Sequence, residues 1–240
     1  MKKALIMGAS GGIGTAVARQ LAAAGWSLYC HYHENEEKVE NLIRNFQNCY
    51  PQQEFFMVSL DMLEEQQFPT FLEQLFQVDA VVFASGFTYY TLLENQTNQE
   101  IENLLQIHLK APMLLCRDLQ KKLSKSGQGR ILFIGSVYGQ YGSSMEAVYS
   151  GVKGGQEAFV RAYSKEVASL GITVNIVAPG AVQTEMNKQW TMEEIQQLEE
   201  NIAVGRMAHP DEIAGITAFL LSDQANYITG ATIPVNGGWY

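Results

Sequence analysis

The chain has 240 residues, 47% hydrophobic and 17% charged, the balance of a globular protein rather than a disordered one. That length fits one α/β domain spanning 1–240, and a formal net charge of −9 without a basic block gives nucleic acid binding little support. Cys30, Cys49 and Cys116 are far apart and odd in number, with no zinc or Cys-x-x-Cys spacing, so reduced thiols in a cytoplasmic protein are expected.

The first apolar run ends at Met7, too short for the core of a signal peptide, and reads as a buried strand. No stretch approaches the ~20 apolar residues that span a bilayer, so a soluble protein is expected. The strand leads into Gly8-Ala9-Ser10-Gly11-Gly12-Ile13-Gly14, followed by a helix-forming segment with apolar periodicity. Strand, glycine turn and helix in this order make a phosphate cradle. The glycines allow close approach, and the helix N-terminus offers free N–H groups and a positive dipole. Gly8, Ser10, Gly12, Ile13 and Gly14 are therefore candidate contacts of a dinucleotide.

Ser27 to Tyr32 reads as the second strand. A carboxylate about 20 residues beyond the glycine loop would hold the ribose hydroxyls of NAD. Tyr32 and His33 stand there instead, which favours NADP(H), with His33 facing the phosphate or lying free at the surface. Glu34 is close enough to keep NAD(H) as an alternative.

A polar-faced helix from Asn35 to Tyr50 precedes Pro51, and Glu54 to Leu60 is a third strand. A helix over about 64–76 leads to Asp79–Ala84, whose continuous apolar character suits a parallel sheet buried on both faces. A long helix is expected over about 98–122, kinked at Pro112. The fifth strand, within Gly129 to Gly135, delivers Ser136 at its C-terminal end, the edge where open parallel sheets bind ligands.

Tyr149-Ser150-Gly151-Val152-Lys153 opens the next helix, running to about Leu170, and puts a phenol and an ammonium on one face. A free tyrosine titrates near pH ~10, and a neighbouring lysine cation is expected to lower that value and make the phenol a usable proton donor and acceptor. Alone, Tyr-x-x-x-Lys is a weak signal. A strand over Thr173–Ala178 then ends in Pro179-Gly180. The polar, acidic segment 185–206, with Thr191 and Glu194 as a capping box, reads as a lid over the substrate or as a fixed surface helix. There is no internal repeat or linker.

Five blocks in the right order resemble the short-chain dehydrogenase/reductase family nearly end to end. Gly8, Gly12 and Gly14 match its cofactor loop, and Ser136, Tyr149 and Lys153 its catalytic set. Pro179, Gly180, Val182 and Thr184 match its nicotinamide segment, and Tyr227 to Gly238 its C-terminus. The resemblance implies a Rossmann-type doubly wound parallel sheet of seven strands with helices on both faces. It also implies hydride transfer between NADP(H) and a ketone without a metal, and a homotetramer or homodimer. By the same resemblance Asp61 and Met62 contact the adenine, and Ala84, Ser85 and Gly86 let the cofactor pass.

His108 falls where the family carries the asparagine that holds a water linking the lysine to solvent. A histidine can donate, accept and pass protons; it serves that relay or merely fills space. Within the family the chain is most similar to 3-oxoacyl-(acyl-carrier-protein) reductases, although Gly127 and Leu170 replace the arginines that dock the acidic carrier, leaving Lys125, Arg130 and Lys165 to compensate. His31-Tyr32-His33, Phe83-Ala84-Ser85-Gly86 and His108 look more like elongation factor P 5-aminopentanone reductases. A non-catalytic cofactor sensor on the same fold is the alternative of another class.

Overall fold

The computed structural model describes residues 1–185 and 190–239. Seven parallel strands form one sheet in the order β3-β2-β1-β4-β5-β6-β7: β1 Lys3–Met7, β2 Ser27–Tyr32, β3 Phe55–Ser59, β4 Ala80–Phe83, β5 Arg130–Ile134, β6 Thr173–Pro179 and β7 Thr232–Val235. The order reverses between β1 and β4, whose registers pair Met7 with Phe83. A ligand crevice opens at such a switch point, beyond the C-terminal strand ends.

Alternate side chains of each strand enter different cores, as the two-residue period requires. Ala4 and Ile6 join a cluster with α1 (Gly12–Ala23), α2 (Glu36–Cys49) and α9 (Pro210–Leu221). Leu5 and Met7 join the opposite cluster with α3 (Phe68–Glu73), α5 (Ala111–Leu123) and α7 (Ala147–Val167). The sheet is thus covered on both faces. Among the described residues no helix is long and apolar enough to cross a membrane.

The long helix expected over 98–122 is broken. α4 (Asn98–Leu105) runs into a π-helical turn at Gln106–Lys110 before α5 begins. Pro112 does not kink a continuous helix; it sits in the first turn of α5, where its missing N–H is tolerated.

α6 (Tyr138–Tyr141) packs on α7 through two glycines. A Cβ on Gly139 would lie 2.9 Å from the Lys153 carbonyl carbon, and one on Gly154 3.0 Å from the Gly139 oxygen. That close approach brings the end of β5 against the start of α7. Of the expected lid, α8 (Met192–Glu200) is capped by Thr191 and Glu194 and buries no side chain, while 186–189 lie outside the described residues.

Candidate active site

The glycine loop is held from within. Gly8 has φ +81°, and a Cβ there would stand 2.7 Å from the Ser85 nitrogen; one on Gly14 would stand 2.1 Å from the Gly8 oxygen. Only glycine fits either position. The Gly8 N–H donates to Nδ1 of His31 at 3.0 Å, and Nε2 of the same ring donates to the Leu60 carbonyl at 2.9 Å. Burial keeps His31 neutral, its pKa lowered to about 4. The sequence singled out His31 only as part of a resemblance; here it ties the cofactor loop to the end of β3.

Ser136 follows β5. Its Oγ accepts the Tyr138 N–H at 3.2 Å, and Ser136 lines the same cleft as the Tyr149 phenol, whose pKa it lowers by hydrogen bonding. Lys153 is 4% exposed, and its Nζ donates to the Ile134 carbonyl at 2.9 Å while lying 5.4 Å from the Tyr149 ring centre. The expected lowering of the tyrosine pKa by lysine is not what governs this pair. Burial first, then the Glu146 charge, pushes the Tyr149 phenol up, and the Ser136 hydrogen bond only partly opposes them. Burial lowers Lys153 to about 7. Both groups have lost water, and desolvation exceeds their mutual effect. At neutral pH the phenol therefore keeps its proton, the state a proton donor needs.

His108, in the π-helical turn, is also buried. Its Nε2 donates to the Phe87 carbonyl at 2.8 Å, so Nδ1 is an acceptor, and this buried atom has no partner. Its ring lies 5.3 Å from that of Tyr149. A Cβ on Gly86 would come within 2.3 Å of the imidazole, so that glycine makes room for it. Burial, with the Lys153 charge, lowers His108 to about 3 and keeps it neutral. Pro112 cannot donate to the carbonyl four residues back, that of His108, and the Gln156 amide takes the place at 2.5 Å.

One cleft of about 480 Å³ gathers these parts. Of the residues expected from the sequence, Gly12, Ile13, Ala84, Ser85, Gly86, His108, Ser136, Tyr149, Lys153, Pro179, Gly180, Val182 and Thr184 line it. Gly8, Ser10 and Gly14 shape the loop behind it. His33 and Asp61 stand apart at the ends of β2 and β3, with Nε2 of His33 3.6 Å from the Asp61 carboxylate. Met62 is 3% exposed and its side chain belongs to the core, not to the cleft.

Glu146, Tyr138, Trp190 and Trp239 also line the cleft and were not foreseen. Of these, Glu146 carried a signal, standing three residues before Tyr149. The lining fits a dinucleotide: a loop that admits no Cβ stands beside a buried Ser85 hydroxyl with no hydrogen-bond partner. A Cβ on Gly12 would reach within 3.0 Å of the Thr184 methyl, so the segment after β6 closes on the same loop.

This fold and this convergence of serine, tyrosine and lysine define an oxidoreductase acting on carbonyl or hydroxyl groups. The chain belongs to the short-chain dehydrogenase/reductase family, near the 3-oxoacyl-(acyl-carrier-protein) reductases: a family model described as enoyl-(acyl carrier protein) reductase matches residues 8–240. It is 38% identical over 240 residues to the oxidoreductase YmfI of Bacillus subtilis (strain 168), covering 100% of this chain and 99% of that one. It is 34% identical over 239 residues to the 3-oxoacyl-(acyl-carrier-protein) reductase FabG of Escherichia coli (strain K12), covering 100% and 97%. Among solved structures, the angucycline C-6 ketoreductase LanV with bound NADP superposes with a TM-score of 0.91 at 26% identity, covering 99% of this chain and 95% of that one.

Proposed function

We propose that this protein reduces a ketone to a secondary alcohol with NADPH. The convergence of Ser136, Tyr149 and Lys153 in the cleft beside the glycine loop carries the reading. Bound nicotinamide dinucleotide supplies the hydride that adds to the carbonyl carbon. The Ser136 hydroxyl hydrogen-bonds the carbonyl oxygen and stabilises the charge that develops there. The Tyr149 phenol gives that oxygen its proton. Lys153, held by the Ile134 carbonyl, steadies the phenolate that remains. His108, through its unpartnered Nδ1, accepts a hydrogen bond from the water that returns a proton to Lys153. The described part of the acidic segment, 190–206, closes over bound substrate.

NADPH is favoured over NADH because Tyr32 occupies the ribose-binding position, its hydroxyl donating to Glu36 at 3.0 Å, and because LanV holds NADP. His33 faces the added phosphate. The likeness to FabG supports a 3-oxoacyl substrate. A ketone on a modified lysine of elongation factor P is the second reading, and one observation weakens carrier docking in the first. Arg130, expected to help dock an acidic carrier, is 2% exposed and donates to the Gly129 carbonyl and the Asn226 side chain. Only Lys125 and Lys165 of the expected trio are exposed.

NADPH and NADH consumption measured with 3-oxoacyl carrier and modified elongation factor substrates side by side tests both readings. Binding of NADPH with no turnover on any ketone would instead favour a cofactor sensor. The same reading carries a cytoplasmic homotetramer or homodimer, which light scattering checks.

A further inference from the structure

The middle of the π-helical turn is held by one side chain from another helix. Pro112 offers no N–H to the His108 carbonyl, and the Gln156 amide of α7 donates to it instead. The ends of the turn are tied elsewhere: the Gln106 amide donates to the Met62 carbonyl at 3.1 Å, and Lys110 pairs with Glu65. Gly155 lets the turn and α7 meet, since a Cβ there would lie 3.3 Å from the Leu109 side chain.

Gln156 is 3% exposed and stands three residues after Lys153 on the same helix. A buried carboxamide is unfavourable unless both of its ends are paired, and here Oε1 has no hydrogen-bond partner. An apolar side chain of that length would fill the same space without leaving an acceptor unpaired. Nor can the amide turn round, because Oε1 against a carbonyl sets acceptor against acceptor. What the chain keeps at this position is one N–H donor for one backbone oxygen.

That oxygen belongs to the residue whose ring faces Tyr149. The bond from Nε2 to the Phe87 carbonyl fixes the tip of the His108 ring, and the Gln156 bond fixes the backbone from which the ring hangs. Together they set the unpartnered Nδ1 and the 5.3 Å between the His108 and Tyr149 rings. Without the amide a buried carbonyl would be left unpaired in a wide turn, and the turn would shift to find another donor.

We propose that Gln156 is a positioning residue for ketone reduction: it holds His108 where Nδ1 accepts the water that returns a proton to Lys153. Gln156 does not line the cleft, so it acts through His108 alone. The inference rests on the reductase reading above.

The test measures kcat, KM and the solvent isotope effect for NADPH-driven reduction of ethyl 3-oxobutanoate by the full-length protein and by Gln156→Met, which keeps the length and removes the donor. The kcat should fall by about 10–100-fold with KM near wild type, and the isotope effect should rise because proton return becomes limiting. An unchanged kcat, or a loss carried by KM with the isotope effect unmoved, overturns the inference while leaving the reductase reading intact. In a His108→Ala background the same substitution should change kcat by less than about twofold; a full second loss overturns the inference, because Gln156 then acts by another route. Pro112→Ala gives the His108 carbonyl a backbone donor of its own, so the pair Pro112→Ala and Gln156→Met should recover the folding and turnover that Gln156→Met loses. A double variant no better folded and no faster than Gln156→Met overturns the inference too. Failure of wild type to reduce ethyl 3-oxobutanoate and both protein-borne ketones with NADPH defeats the reductase reading and the inference with it.

Discussion

One imidazole serves two elements: the Gly8 amide donates to Nδ1 of His31 while Nε2 donates to the Leu60 carbonyl. The loop that meets the dinucleotide is thereby fastened to the end of β3 through the interior of the sheet. His31→Leu removes both bonds and leaves a donor and an acceptor buried, each costing about 1–3 kcal/mol. Urea unfolding should show a loss of about 2–4 kcal/mol, accompanied by weaker dinucleotide binding in fluorescence titration. Wild-type binding by a destabilised variant would mean that the tie is structural alone.

Acid should weaken the fold in a defined window. His31 and His108 have folded pKa values of about 4 and about 3, against an ordinary value of 6.5, chiefly because burial opposes their charged forms. Below pH 6.5 the unfolded chain takes up protons that the folded chain refuses, so stability falls as pH drops. At pH 5 the loss is about 2 kcal/mol for each histidine. Urea midpoints at pH 7 and pH 5 measure it. His108→Asn should reduce the pH dependence by about half, and an unchanged dependence would show that other groups dominate.

Replacing Tyr149 with phenylalanine removes the proton donor and little else. Turnover should fall by about 10²–10⁴-fold, with dinucleotide binding close to wild type. Near-normal turnover would end the proton-transfer scheme.

Lys153→Met should abolish turnover yet raise the melting temperature at neutral pH. The ammonium is buried against one carbonyl, and its pKa falls from 10.5 to about 7. The unfolded chain therefore binds this proton more tightly, and the wild-type protein gains stability as pH rises from 7 to about 10. Removing the group should recover about 1–3 kcal/mol at pH 7 and cancel that rise. A variant less stable than wild type would mean that packing around the methionine outweighs the lost charge.

Two glycines of similar conformation should respond differently to alanine. Gly25 has φ +87° and open space where a Cβ would stand, with nothing within 4 Å, so Gly25→Ala meets only the left-handed penalty of about 1–2 kcal/mol. Gly8→Ala adds a backbone collision with Ser85 and should cost more, with dinucleotide binding lost. Equal melting temperatures for the two variants would contradict the contact.

Legibility followed the range of the interactions. β2 and β5 could be read from their apolar runs, and α7 with Tyr149 and Lys153 from motif and spacing, because those signals lie within one segment. The role of His31 was hidden because its partners, Gly8 and Leu60, come from two other stretches. Arg130 reads as a surface cation in sequence, yet it is received by the Asn226 side chain, ninety-six residues away. Glu146 escaped because an acidic residue just before a helix usually reads as a cap, and here the carboxylate points elsewhere. The break at 106–110 falls away from the expected kink because proline is the commonest cause of one, whereas the wider turn begins six residues earlier.

That wider turn sets the rotational phase between α4 and α5. Each residue of an ordinary helix advances the side chains by about 100°, and the π-helical winding at Gln106–Lys110 takes up that advance more slowly. Leu104 on one side and Leu115, Leu119 and Leu123 on the other are all buried with the phases so offset. Deleting one residue between 106 and 110 would therefore do more than remove His108 from its contacts. It would swing every side chain of α5 around the helix axis, turning Leu115 and Leu119 away from the sheet. Chain length in this turn is constrained by rotation, although the turn is neither a strand nor part of the glycine loop.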